Sequence, residues 1–151
     1  KYWSMDAFTD SDINDHLIDK YSIQEILVTN LQKLRVKRRL IYDIWETFIN
    51  KYSKIKPAFN KLNPETSPFV FPAYTESSLE SKKYFDWGWK NGFEITSWPT
   101  LPEEIKQDKN IKSIWKKLIC FPINESIDPN RLSYKLNLLA KYGNINEYKG
   151  L

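Results

Sequence analysis

Cysteine, histidine and glycine are nearly missing from this 151-residue chain, and each scarcity removes a class of function. A single cysteine, Cys120, cannot close an intrachain disulfide, which favours a reducing compartment; cytoplasm is the expected location. With one histidine, His16, and one thiol, the common zinc sites have no second nitrogen or sulfur ligand, so no metal is expected. A nucleophile and base pair needs His16 within hydrogen-bond reach of Cys120, and nothing in the sequence places it there. The bland readings are stronger: His16, beside Asp15 and Asp19, is a surface residue of a short helix, and Cys120 is a small buried hydrophobe. Four glycines leave no G-x-x-x-x-G-K-[ST] or G-x-G-x-x-G loop to cradle a phosphate.

Long hydrophobic runs are also lacking. No apolar stretch approaches the ~18 residues of a membrane span, and the first residues form neither a signal nor a transit pattern. Asn124-Glu125-Ser126 then matches a glycosylation acceptor by chance. The chain begins at Lys1 without an initiating methionine, as part of something longer would. Charge of one sign does not dominate either: 23 basic residues are interspersed with 19 acidic ones, for a net +4. The longest basic cluster is Arg35 to Arg39, so nucleic acid is not an expected partner beyond weak, salt-sensitive association.

What is present is a core. Hydrophobic residues make up 41% of the chain and aromatics 15%, with 6 Trp, 9 Tyr and 8 Phe, so the 28% of charged residues must coat a packed interior. The length suits one domain, residues 1–151.

Asp10-Ser11-Asp12 offers cap chemistry for a short helix to about Lys20. Ser22 with Glu25 forms a capping-box pair, and apolar positions from Ile23 through Leu31, Leu34, Ile41, Trp45 and Phe48 to Tyr52 hold one helical face. That predicts a helix of about 30 residues, or ~45 Å, longer than a small domain needs for itself and suited to reach another domain or subunit. Turn signals fill residues 57–68, and Phe69-Val70-Phe71 reads as a strand stopped by Pro72. Ser77 with Glu80 opens a helix to about Lys90, with Leu79, Tyr84, Trp87 and Trp89 about its apolar side and Asn91-Gly92 to end it. Phe93 to Ser97 alternates as a strand, a brief helix follows across 111–116, and Leu118 to Phe121 reads as a strand buried on both faces. Asp128, Pro129 and Gly143 delimit a last helix with Leu132, Leu136, Leu139 and Ala140 buried. The predicted fold is α/β (α+β, two-layer): a small three-stranded sheet packed by helices, with one long N-terminal helix.

The succession VKRRLIYDIWETF, SPFVFPAY, Asn91-Gly92, FEITSWPTLP and LICFPIN, spanning about Ser22 to Leu139, resembles the C-terminal small domain of the DegT-like sugar aminotransferases, fold-type-I enzymes that use pyridoxal phosphate. The resemblance implies transfer of an amino group, usually from glutamate, to a nucleotide-linked keto-sugar in polysaccharide biosynthesis. It also implies a homodimer, and a preceding large domain that carries the Schiff-base lysine and the other cofactor contacts. This chain then holds no catalytic or cofactor-binding residue and shapes the substrate cleft. The family's helix carries a basic pair followed by a tyrosine, matched by Arg38, Arg39 and Tyr42 as domain-interface candidates. The basic run has two readings, a solvated surface or an arginine fork aimed at a neighbouring domain. Trp98, Pro99, Thr100 and Asn124 are the substrate-cleft candidates. For Trp98 the choice is between core packing and an indole face free to stack on a sugar or base. The polar pair that often includes histidine in the family is Asn124-Glu125 here. The rival reading is a non-catalytic interaction module that uses exposed aromatics, among them Trp3, Trp87, Trp89 and Trp98, to hold a protein or carbohydrate.

Overall fold

A computed structural model describes residues 19–98 and 101–142. Helices α1 (Lys20–Val28) and α2 (Leu31–Tyr52) lead to strands β1 (Lys56–Pro57) and β2 (Val70–Tyr74), helix α3 (Ser78–Lys90) and strand β3 (Thr96–Ser97). Short helices α4 (Glu103–Lys106) and α5 (Lys109–Trp115) precede strand β4 (Leu118–Pro122) and helix α6 (Pro129–Tyr142). The strands form one antiparallel sheet in the order β1-β2-β4-β3. This is the expected small sheet packed by helices behind a long N-terminal helical region, with three refinements.

The first concerns the long helix, which is two helices. Asn30 accepts from the Lys33 amide through its side chain at 2.9 Å and so caps α2, while Thr29 and Asn30 are extended (ψ 120° and 91°). The apolar spacing from Leu27 to Leu31 runs through this joint unchanged, which is why periodicity alone does not reveal it. The start also moves: Asp19, rather than Ser22, caps α1 by accepting from the Tyr21 and Ser22 amides.

The second refinement is the added edge strand β1. It pairs Lys56 with Tyr74 and Pro57 with Ala73. The third is that β2 runs through Pro72. The Pro72 carbonyl accepts from the Ala58 amide at 2.9 Å; N and O of one strand residue face the same neighbour, so the missing N–H points to the edge side and costs the β2–β4 ladder nothing. Strand β3, by contrast, is shorter than its alternation suggests, because Phe93 to Ile95 are occupied in closing α3. Phe93 N–H reaches Gly88 O at 2.7 Å and Gly92 N–H reaches Trp89 O at 3.1 Å, with Gly92 at φ 68°. That pair of bonds is a Schellman cap, in which glycine takes the left-handed conformation without steric cost.

The core lies between the sheet and α2, α3 and α6. Ile41, Trp45, Ile49, Phe71, Ala73, Ile119 and Phe121 are wholly enclosed. Trp45 is its centre, with ring centroids 4.8 Å from Phe121 and 5.2 Å from Phe93 and its indole N–H donating to Pro122 O at 3.0 Å. Leu132 and Leu136 bury as expected, with Leu139 and Ala140 packed at the margin. On α3 the buried side is Ser81, Tyr84, Trp87 and Gly88; Leu79 and Trp89 face out, since neither shares the i, i+3 spacing of 81, 84 and 87. Ser81 is satisfied within a buried hydroxyl network, 2.7 Å from Thr75 Oγ1 and donating to Lys116 O at 3.0 Å. The expected helix over 10–20 falls almost entirely outside the described residues, as do His16, Trp3 and Gly143.

Candidate functional site

Strand register decides which candidates can meet. Thr96 pairs with Cys120 and Ser97 with Ile119, which ends β3, and Trp98 follows directly, while Tyr74 pairs with Leu118 at the end of β2. Tyr74 is 37% exposed and Trp98 49%. The backbone at Trp98 is held by α5, whose Trp115 indole N–H donates to Trp98 O at 3.1 Å. Core packing is thus not the role of Trp98; it is a half-exposed ring on a pinned backbone. Pro99 and Thr100 lie outside the described residues.

Asn124 is elsewhere. It follows the far end of β4, six residues beyond Leu118 or ~20 Å along the strand, and does not share a pocket with Trp98. Its carboxamide oxygen accepts from Ser126 N–H at 3.1 Å and Ser126 Oγ at 2.6 Å, which makes it a turn-forming side chain.

The basic cluster of α2 meets that same end of the sheet. Arg39 donates through Nη1 to the carbonyls of Asn63 (2.7 Å) and Thr66 (3.2 Å), and Arg35 pairs with Glu65. Lys37 donates to Glu125 O at 2.6 Å, and Arg38 meets the Glu125 carboxylate at 3.3 Å. Backbone hydrogen bonding and the Arg38 guanidinium hold that carboxyl below the usual range. The cluster thus fastens two loops of its own domain, at distances in sequence of 24 to 88 residues that no local pattern reports. Tyr42 completes the family-like trio but is 1% exposed, its ring edge-on to Phe71 at 4.8 Å, and so belongs to this domain's own core. Among the described residues its hydroxyl and the Arg38 Nε–H find no hydrogen-bond partner. Burial, then the Glu46 and Asp43 charges, push the Tyr42 phenol up.

Cys120 sits in mid-sheet between Pro72 and Thr96, 2% exposed, and burial pushes its thiol up to about 11, far from a reactive thiolate. A cleft of about 250 Å³ opens between α2 and α6, where Asp43, Thr47 and Lys51 face Ser133 and Asn137 over Phe48 and Leu136. Every described lysine is at least partly exposed. Among the described residues no group of His, Cys, Asp and Glu could hold a metal ion, and no helix is long and apolar enough to cross a membrane.

No protein-family model, curated protein or solved structure matches the chain.

Proposed function

We propose that the chain is the small, wall-forming domain of a DegT-like, pyridoxal-phosphate-dependent nucleotide-sugar aminotransferase, or of an aminotransferase-like protein, working in the cytoplasm as a homodimer. The observation that carries this reading is Trp98, a half-exposed indole at a strand end with its backbone fixed by Trp115. A ring so exposed offers its face to a sugar or base for stacking. The chain's own part is to bind and orient the sugar nucleotide; the amino-group transfer proceeds on residues and a cofactor of the large domain. The alternative, a non-catalytic interaction module, draws on the exposed apolar residues of α1, although Trp87, one of its proposed contact residues, is in the core.

The test is Trp98→Ala in the whole gene product, with amino-group transfer to a nucleotide-linked keto-sugar as the assay. Loss of one stacking contact raises KM about tenfold with kcat little changed, because the ring touches the bound sugar and not the reacting atoms. Unchanged KM refutes the role of Trp98, and a gene product without such activity refutes the reading.

A further inference from the structure

We infer that α5 and Trp98 form a binding surface for single-stranded nucleic acid, with a row of lysines on the phosphates and the indole on a base. The inference goes beyond the reading above and does not rest on it.

The densest basic run of the chain is already committed, since Arg35, Lys37, Arg38 and Arg39 are bound to loops of their own domain. The uncommitted charge is on α5. Lys109, Lys112 and Lys116 recur at spacings of three and four, so on a helix turning about 100° per residue they share one arc of ~60° along ~10 Å of its length. All three are exposed, and Lys117 beside them is half-exposed. Among the described residues none of these four lysines meets a carboxylate. The acids around them are engaged elsewhere: Asp108 accepts from the Asn110 and Ile111 amides, Glu103 pairs with Lys106, and Glu80 accepts from the Glu76 amide. Residues 101–117 hold five lysines against three acids (Glu103, Glu104, Asp108), a net +2 of the chain's +4.

A solvated helix face pairs or alternates its charges. This one repeats a single sign at i, i+3 and i+7, and it opens with Lys109 at the positive end of the helix dipole. Both features are unfavourable alone, and an anion lying along the row relieves both. A row of ~10 Å is longer than one phosphate needs and suits a chain of them. The indole selects a chain that carries bases. Trp115 follows Lys112 by three residues and donates its indole N–H to Trp98 O, which keeps the 49% exposed Trp98 within one side chain's length of the helix that bears the row. Bases of a single strand are open to stack on such a ring, whereas those of a duplex are already stacked on each other.

The test is fluorescence anisotropy of a labelled uridine oligomer of about 12 nucleotides titrated with the whole gene product at several salt concentrations. Three to four phosphate contacts predict a fall of log K against log salt with a slope of about −2 to −3. Lys112→Gln should make that slope shallower by about 0.7, and Trp98→Ala should weaken binding about tenfold with the slope unchanged. Lys33→Gln on α2, exposed and away from the row, should change neither. No binding at low salt overturns the inference. Inorganic polyphosphate or anionic vesicles bound as tightly as the oligomer overturn nucleic acid as the occupant, and a duplex bound more tightly than the single strand overturns the stacking. The same Trp98→Ala protein separates the two ideas: a raised KM for the nucleotide sugar with oligomer binding intact sinks only this inference, and weakened oligomer binding with KM unchanged sinks only the reading above.

Discussion

Trp45 is where the packing account can be tested most sharply. Its side chain is wholly enclosed, touches Phe48, Phe93 and Phe121, and ties α2 to the end of β4 through the bond to Pro122 O. Trp45→Phe keeps one ring but deletes the donor to the part-buried Pro122 carbonyl, at a cost of about 1 kcal/mol before any loss from the vacated volume. Trp45→Ala removes the ring as well, for about 3 to 5 kcal/mol. Against a total stability of ~5 to 15 kcal/mol, the phenylalanine variant folds and the alanine variant is marginal. Urea unfolding followed by far-ultraviolet circular dichroism measures both, with an unchanged m-value expected for Trp45→Phe. The control is Trp89→Ala, at a 62% exposed position on α3, which should cost no more than about 0.5 kcal/mol. If Trp45→Phe is as mild as Trp89→Ala, Trp45 is not the centre of this core and the placement of α2 on the sheet fails with it.

Tyr42→Phe removes a buried hydroxyl that has no partner among the described residues, so stability should stay level or rise by up to about 1 kcal/mol in the same assay; a clear loss contradicts the unpartnered hydroxyl. The Cys120 thiol titrates at about 11 in the fold against an ordinary 9.0, so the folded state holds its proton more tightly. Its stabilisation is complete below pH 9 and is lost as pH rises through 11, by about 2 to 3 kcal/mol. Urea midpoints from pH 8 to 11 should therefore fall more steeply for the natural protein than for Cys120→Ala, and parallel slopes refute the buried thiol.

Where hydrophobic spacing and capping chemistry agreed, the elements were legible: Ser77 before α3, Asp128 and Pro129 at α6, Gly92 in its left-handed cap, and the doubly buried run of β4. The joint at Thr29-Asn30 was hidden because the apolar row crosses it in register, although Asn30 is itself a capping residue. Pro72 looked like a strand stop because sequence does not tell which neighbour a residue's N–H will face. Of the site, Trp98 was legible as an aromatic at a strand end, but its separation from Asn124 is a matter of antiparallel register that only pairing reveals. The partners of Arg35, Lys37, Arg38 and Arg39 were not legible at all, since most are backbone carbonyls and loop carboxylates distant in sequence.

The visible absorbance of bound pyridoxal phosphate, compared between the whole gene product and this 151-residue chain, tests the central claim most directly. The account predicts the band in the former and none in the latter after incubation with the cofactor. A whole gene product without the band, or the band in this chain alone, contradicts it.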